Sequence, residues 1–238
     1  MITADALYLA LIAIALVVDH FVLWQTFLRR SQADPACARL WLWSAWMILL
    51  WILAAAGIAL WLFKARAFES LRFIIPHGWQ LWIAIVLILA LTIHYARTAL
   101  RIARIESGKR VKIANPDMAR LSPRTQSEMA WWVALSLSAG FCEEFIFRGY
   151  LIWVFQGVIG WWGAAAISVV LFAIAHAYQG AKGILATGVL GFLFTLVVLI
   201  SGSLWPAMAL HALIDIGEGL IACLALQRVD SESRTAPP

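Results

Sequence analysis

The chain has 238 residues, of which 63% are hydrophobic and only 13% charged, whereas roughly a quarter of a soluble protein is charged. A water-soluble domain of this size has too little interior to hide so much apolar side chain, and the same figures exclude intrinsic disorder. Mean hydropathy is +0.87, and the 14 Trp suit a bilayer, where indole rings settle at the headgroup level. The composition predicts an all-α fold, a polytopic transmembrane helical bundle. The formal charge of +5 is read as topology-setting Lys and Arg, with no nucleic-acid partner. Cys37, Cys142 and Cys223 are scattered and odd in number, so they make neither a disulfide framework nor a zinc knuckle.

A helix crosses the hydrocarbon core with about 20 apolar residues. Seven segments qualify, near 6–24, 40–63, 73–94, 129–152, 153–176, 184–200 and 204–226; an eighth crossing or a re-entrant piece stays open. The fourth and fifth are nearly continuous, so a short turn or interfacial piece within 156–163 must separate them. The first segment has no basic region before it and Arg29 and Arg30 after it, which predicts a retained helix with its N-terminus outside. On that topology fourteen of the 18 Lys and Arg face the cytoplasm, and three (Lys64, Arg66 and Arg72) lie in outer loops, as the positive-inside bias expects. With no organelle signal read, a prokaryotic inner membrane is the expected location.

The sequence divides into N-terminal transmembrane helices over 1–95, a basic cytoplasmic loop over 96–126, a second helical core over 127–226 and a disordered tail over 227–238. In the loop, Arg97, Arg101 and Arg104 share a helical face. They suit either an amphipathic helix on anionic lipid or a solvated linker. Asp19, His20 and His94 fall towards segment ends and are read as interfacial. Trp41, Trp43, Trp46 and Trp51 are read as interfacial and lipid-facing residues, and Cys142, Phe147 and Phe172 as packing.

The later segments differ from the first three. Glu143, Glu144, Arg148, His176, His211, Asp215 and Glu218 lie within stretches otherwise suited to lipid. A charge at the bilayer centre costs about 2.5–3.5 kcal/mol on insertion scales, so such a set implies a polar cavity. Positions three or four apart are helical neighbours. Glu144 and Arg148 then form a local ion pair while Glu143 points about 100° away, a separation set by helical periodicity. His211 and Asp215 stack on one face, as do Phe172 and His176.

Two imidazoles and a carboxylate without a local cation are hydrolytic in type: the carboxylate takes a proton from water, and the histidines orient that water, donate to an oxyanion or bind a metal. No Ser or Cys in the spans has an obvious activating partner, which disfavours a serine-type enzyme. The joined helical zinc motif, with a glutamate between two histidines, is missing.

Glu143-Glu144-Phe145-Ile146-Phe147-Arg148 resembles the Glu-Glu-x-x-x-Arg motif of the CAAX-protease and bacteriocin-processing (CPBP, or Abi) family of intramembrane proteases. Phe172-Ala173-Ile174-Ala175-His176 and His211-Ala212-Leu213-Ile214-Asp215 are similar to its Phe-x-x-x-His and His-x-x-x-Asn/Asp motifs, and Gly202-Ser203-Leu204-Trp205-Pro206 is similar to the family's approach to the third. The resemblance covers about 127–226. It implies an integral-membrane endopeptidase acting on a membrane-associated or lipid-modified peptide or protein, with the bilayer as its surroundings. By position, Glu143 would activate water with help from His176, and His211 and Asp215 would face the oxyanion. Glu144 and Arg148 would hold the first glutamate's helix, with Phe172 in support.

The resemblance implies no cofactor for the better-supported glutamate mechanism. Zinc stays open, on His176, His211, Asp215 and Glu143, because family members have also been called metalloproteases. Asp215 stands where the eukaryotic CAAX enzyme has Asn; an ionised Asp cannot donate to an oxyanion. A protonated Asp215, an Asp215 that orients His211, and a metal ligand are all left open. Glu218 matches no motif. The competing class is a non-catalytic scaffold, immunity-type partner or proton-linked carrier that uses the same cavity.

Overall fold

The computed structural model describes residues 2–104 and 116–235. Its described residues form nine α-helices: α1 (Ile2–Val18), α2 (Trp24–Arg30), α3 (Pro35–Phe63), α4 (Gly78–Ala103), α5 (Pro116–Leu121), α6 (Gln126–Glu144), α7 (Ile152–Ala175), α8 (Gly180–Ser201) and α9 (Trp205–Thr235). Two π-helical turns, Asp19–Leu23 and Phe145–Leu151, join α1 to α2 and α6 to α7 without a break. Among the described residues six helical runs are long and apolar enough to cross a membrane. The chain is an integral membrane protein with an all-helical bundle.

The fourth run, Gln126–Ala175, has 50 residues. A straight helix of that length would reach about 75 Å, more than twice the ~30 Å hydrocarbon core. It is not straight: Gly160 has φ 73° and ψ 167°, a conformation that only glycine adopts cheaply. Beyond it the chain doubles back, and Ser168 Oγ donates to the Phe147 carbonyl at 2.6 Å. The fourth and fifth expected segments are these two arms, and their junction falls inside the expected 156–163 window.

Helix starts follow local chemistry. Asp34 accepts from the Ala36 and Cys37 amides at 3.0 Å and Pro35 occupies the first position of α3, where its missing N–H costs nothing. Thr125 accepts from the Glu128 amide at 3.2 Å, an N-cap for α6. The Glu128 side chain leaves that cap to take the buried Arg39 guanidinium at 2.6 Å and the Arg124 amide at 2.7 Å, which ties α3 to the start of α6. At the opposite end Arg66 forks onto Asp5 at 2.8 and 2.7 Å, and Tyr150 Oη donates to Asp5 at 2.5 Å.

The core gathers Tyr8, Trp61, Phe145, Tyr150, Phe194 and Leu204 with their neighbours. Helix α6 packs between α3 and α9, and α4 packs on α9. Gly140 sets the α6–α9 spacing: a Cβ there would lie 2.8 Å from the Met208 carbonyl oxygen and 2.9 Å from the Ala212 Cβ. Such close approach through a small residue is how membrane helices gain packing energy.

Several expectations are corrected. Helix α4 runs to Ala103, so Arg97 and Arg101 occupy its last two turns and not a separate surface helix, and the loop expected over 96–126 begins later. Residues 105–115, the middle of that loop, lie outside the described residues. Helix α9 runs to Thr235 through most of the tail expected to be disordered; 236–238 lie outside the described residues. Trp43 is wholly buried and packs edge-to-face on Trp132 at 5.5 Å, so the Trp-rich stretch of α3 faces protein as well as lipid. Its hydrophobicity is uniform, which hides which face turns inward. Cys142, Phe147 and Phe172 are buried, as expected of packing residues.

Candidate active site

The three motifs converge on the end of α6, the end of α7 and the second turn of α9. The ion pair forms as its four-residue spacing requires: Arg148 Nη1 donates to Glu144 Oε1 at 2.8 Å with both side chains 0% exposed. A buried pair is costly unless its other hydrogen-bonding groups find partners; among the described residues Glu144 Oε2 and Arg148 Nε are buried without one, while Nη2 is satisfied. Arg148 Nη2 donates to the Gly191 carbonyl of α8 at 3.0 Å, and the guanidinium lies 4.1 Å from the Phe172 ring centroid. The arginine thus fastens α6, α7 and α8 together. The helix widens into its π turn at Phe145, immediately after the glutamates; such widening recurs at functional sites.

Glu144 has a second task that helical spacing alone did not reveal. Its Oε1 also accepts from His211 Nδ1 at 2.8 Å. A carboxylate paired with arginine can only accept, so Nδ1 carries the hydrogen. The imidazole is also stacked on Phe194, with centroids 4.9 Å apart and planes at 13°. Its remaining nitrogen, Nε2, faces Glu143 Oε2 at 4.0 Å and Asp215 Oδ2 at 3.6 Å. Among the described residues the buried Glu143 Oε2 has no hydrogen-bond partner. The Asp215 side chain is 35% exposed and forms the wetter edge of the group.

His176 caps α7. Its Nδ1 bonds the Phe172 carbonyl at 2.8 Å, and since a carbonyl only accepts, the ring is left with Nε2 as its free acceptor. Phe172 packs against it at 4.7 Å. His176 lies within electrostatic reach of His211, Asp215 and Asp19. Among the described residues no hydrogen bond or ion pair joins it to Glu143; the direct neighbour of Glu143 is His211.

Glu218 stands one turn beyond Asp215, is exposed and accepts from Tyr95 Oη at 3.0 Å, bracing α9 against α4. Trp132 Nε1 donates to the Asp215 carbonyl at 2.8 Å and so holds the backbone at that position. Among the described residues no group of three or more His, Cys, Asp or Glu side chains has the arrangement of a metal site.

Asp19 was expected at a helix end and is corrected. It lies in mid-span because its helix runs on to Arg30. Its Oδ1 accepts from Trp46 Nε1 at 2.5 Å, and it lies within electrostatic reach of His176 and Glu143. A lone acid inside an apolar segment was the available signal. Phe194 and the Gly191 carbonyl carried none.

Residues 125–217 match the family model described as type II CAAX prenyl endopeptidase Rce1-like. That segment is similar to the Rce1-like family. It begins at the Thr125 cap of α6 and ends just past Asp215, so all three motifs lie inside it. The family so described consists of CAAX prenyl endopeptidases. Helices α1 to α5 lie outside the Rce1-like segment. No curated protein and no solved structure matches the chain.

Proposed function

We propose that the chain is an intramembrane endopeptidase that hydrolyses a peptide bond of a membrane-associated or lipid-modified substrate with a glutamate-activated water. The observation that carries this reading is the buried, unpartnered Glu143 Oε2 lying 4.0 Å from the Nε2 of a histidine whose other nitrogen is committed to Glu144. A desolvated carboxylate beside an oriented imidazole is suited to general-base work.

In the proposed reaction a water between Glu143 and His176 gives its proton to Glu143, and its oxygen bonds to the scissile carbonyl carbon. His176 Nε2 orients that water as an acceptor. Negative charge moves onto the carbonyl oxygen, which faces His211. With Nδ1–H engaged by Glu144, a protonated His211 presents Nε2–H to the oxyanion, and Asp215 at 3.6 Å balances the imidazolium. The proton on Glu143 then passes to the leaving nitrogen as the carbon–nitrogen bond breaks. Asp215 therefore serves through His211 and needs no donor hydrogen of its own. The basic-loop side is taken as cytoplasmic, in a prokaryotic inner membrane with the N-terminus outside.

The test uses the full chain in lipid nanodiscs with an internally quenched farnesylated CAAX peptide and its unprenylated counterpart. Glu143→Gln is expected to lower turnover by at least about 100-fold, the scale of a lost general base, with an unchanged helical circular dichroism spectrum. Full activity in that variant rejects the assigned base. A substrate-independent proton current that is lost in the same variant favours the carrier.

A further inference from the structure

We propose that Asp19 is a positioning residue for His176, acting through Trp46 and Tyr178. The inference rests on the endopeptidase reading of His176 and concerns a helix outside the Rce1-like segment. The contacts form an unbroken path. Asp19 Oδ1 accepts from Trp46 Nε1 at 2.5 Å, the Trp46 ring lies 5.3 Å from Tyr178, and Tyr178 lies 5.9 Å from His176 with planes at 34°. His176 thus has two aromatic neighbours, Tyr178 at 5.9 Å and Phe172 at 4.7 Å.

The backbone is built for this arrangement. At Asp19 the first span widens into a π turn, and the Trp24 amide donates to the Asp19 carbonyl. That five-residue bond brings positions 19 and 24 towards one face, where α-helical geometry would splay them apart. Trp24 then packs against Tyr178 at 5.2 Å, so Tyr178 touches both Trp24 and Trp46. His176 itself ends a helix: its φ of −99° and ψ of 19° are no longer helical. The ring therefore depends on its neighbours for orientation more than a mid-helix side chain would. An aspartate in an apolar span is a costly way to fill space; fixing the rotation of one indole, and through it the tyrosine against the catalytic imidazole, is what the carboxylate does here that an apolar residue could not.

The experiment compares Asp19→Leu, Asp19→Asn, Trp46→Phe and the Asp19→Leu/Trp46→Phe double variant with the unmodified full chain in nanodiscs. Two readouts are taken: hydrolysis of the farnesylated peptide, and the rate at which diethyl pyrocarbonate modifies His176, followed by peptide mass spectrometry. Asp19→Leu and Trp46→Phe are each expected to lower kcat about tenfold with little change in KM, the effect of a slightly misplaced group. The double variant should be no worse than either single, since both break one path. Asp19→Asn, whose carbonyl accepts the same indole hydrogen, should recover most of the activity. The His176 modification rate should change at least about threefold in Asp19→Leu and return in Asp19→Asn, because the supporting shell sets the ring's orientation.

A folded Asp19→Leu protein with unaltered kcat and modification rate overturns the proposal. A lowered thermal midpoint with both readouts intact also overturns it and leaves Asp19 a structural role alone. If Glu143→Gln stays active or the peptide is not cleaved, the endopeptidase reading fails by itself, and the His176 modification rate still decides whether Asp19 positions the ring.

Discussion

Glu144 and His211 stand 67 positions apart in the chain, yet a 2.8 Å bond from Nδ1 to Oε1 makes them one unit. Because Arg148 binds the same oxygen, a single carboxylate atom carries both the ion pair that fastens the bundle and the contact that aims His211 Nε2 at Glu143 and Asp215. Stability and orientation cannot be separated at this atom.

Replacing Glu144 with Gln should therefore harm both. Arg148 would be left charged and unpaired at the core, a loss on the order of 3–5 kcal/mol for a broken buried pair. The double variant Glu144→Gln/Arg148→Met should regain much of that stability in denaturant titrations but little turnover, since His211 Nδ1 still lacks the carboxylate that orients the ring. Recovery of full activity in the double variant would assign Glu144 to structure alone.

Asp215 offers a milder test. Asn at this position keeps the size and reach towards His211 but loses the charge, so Asp215→Asn should retain activity within about tenfold. Asp215→Leu, which removes the polar partner, should lose more, on the order of 100-fold, the scale of a missing electrostatic contact. Both should fold, because the side chain is 35% exposed. Peptide hydrolysis and thermal melts of the two variants check the pair of outcomes.

Gly140 controls whether the motifs meet at all. A valine there would press on the Met208 carbonyl, where even a Cβ would lie 2.8 Å away, and α6 would have to retreat from α9. Overpacking of this kind costs roughly 1–3 kcal/mol. Turnover should fall further than stability does, as Glu144 and His211 separate. Denaturant midpoints alongside kcat read both effects, with Gly160→Ala as a comparison: it strains a distant turn and should lower stability while leaving kcat of the folded protein unchanged.

The proposed chemistry uses the chain's own carboxylates and imidazoles. Elemental analysis of active, freshly purified protein should accordingly find zinc well below one atom per chain, and extensive dialysis against chelator followed by buffer exchange should leave turnover intact. Stoichiometric zinc that tracks activity would require the site to be redrawn around a metal.

Hydropathy by itself determined the membrane-spanning helical architecture, because a stretch of apolar residues long enough to cross a bilayer has few other stable fates. It also placed the reversal within 156–163, where two spans run together without a charged residue between them; the structure put it at Gly160. Spacing within one helix determined the Glu144–Arg148 pair and the stacking of His211 over Asp215, since neighbours at four residues meet by local geometry.

Contacts between helices were another matter. That Glu144 would claim His211 Nδ1, that Asp215 would face Nε2, that Trp43 would turn inward and that Asp19 would reach towards the site from the first span were decided by the tertiary structure. Helical periodicity relates residues on one rod; the rotation and depth of one rod against the next come from side-chain packing and small residues such as Gly140, which no local pattern encodes.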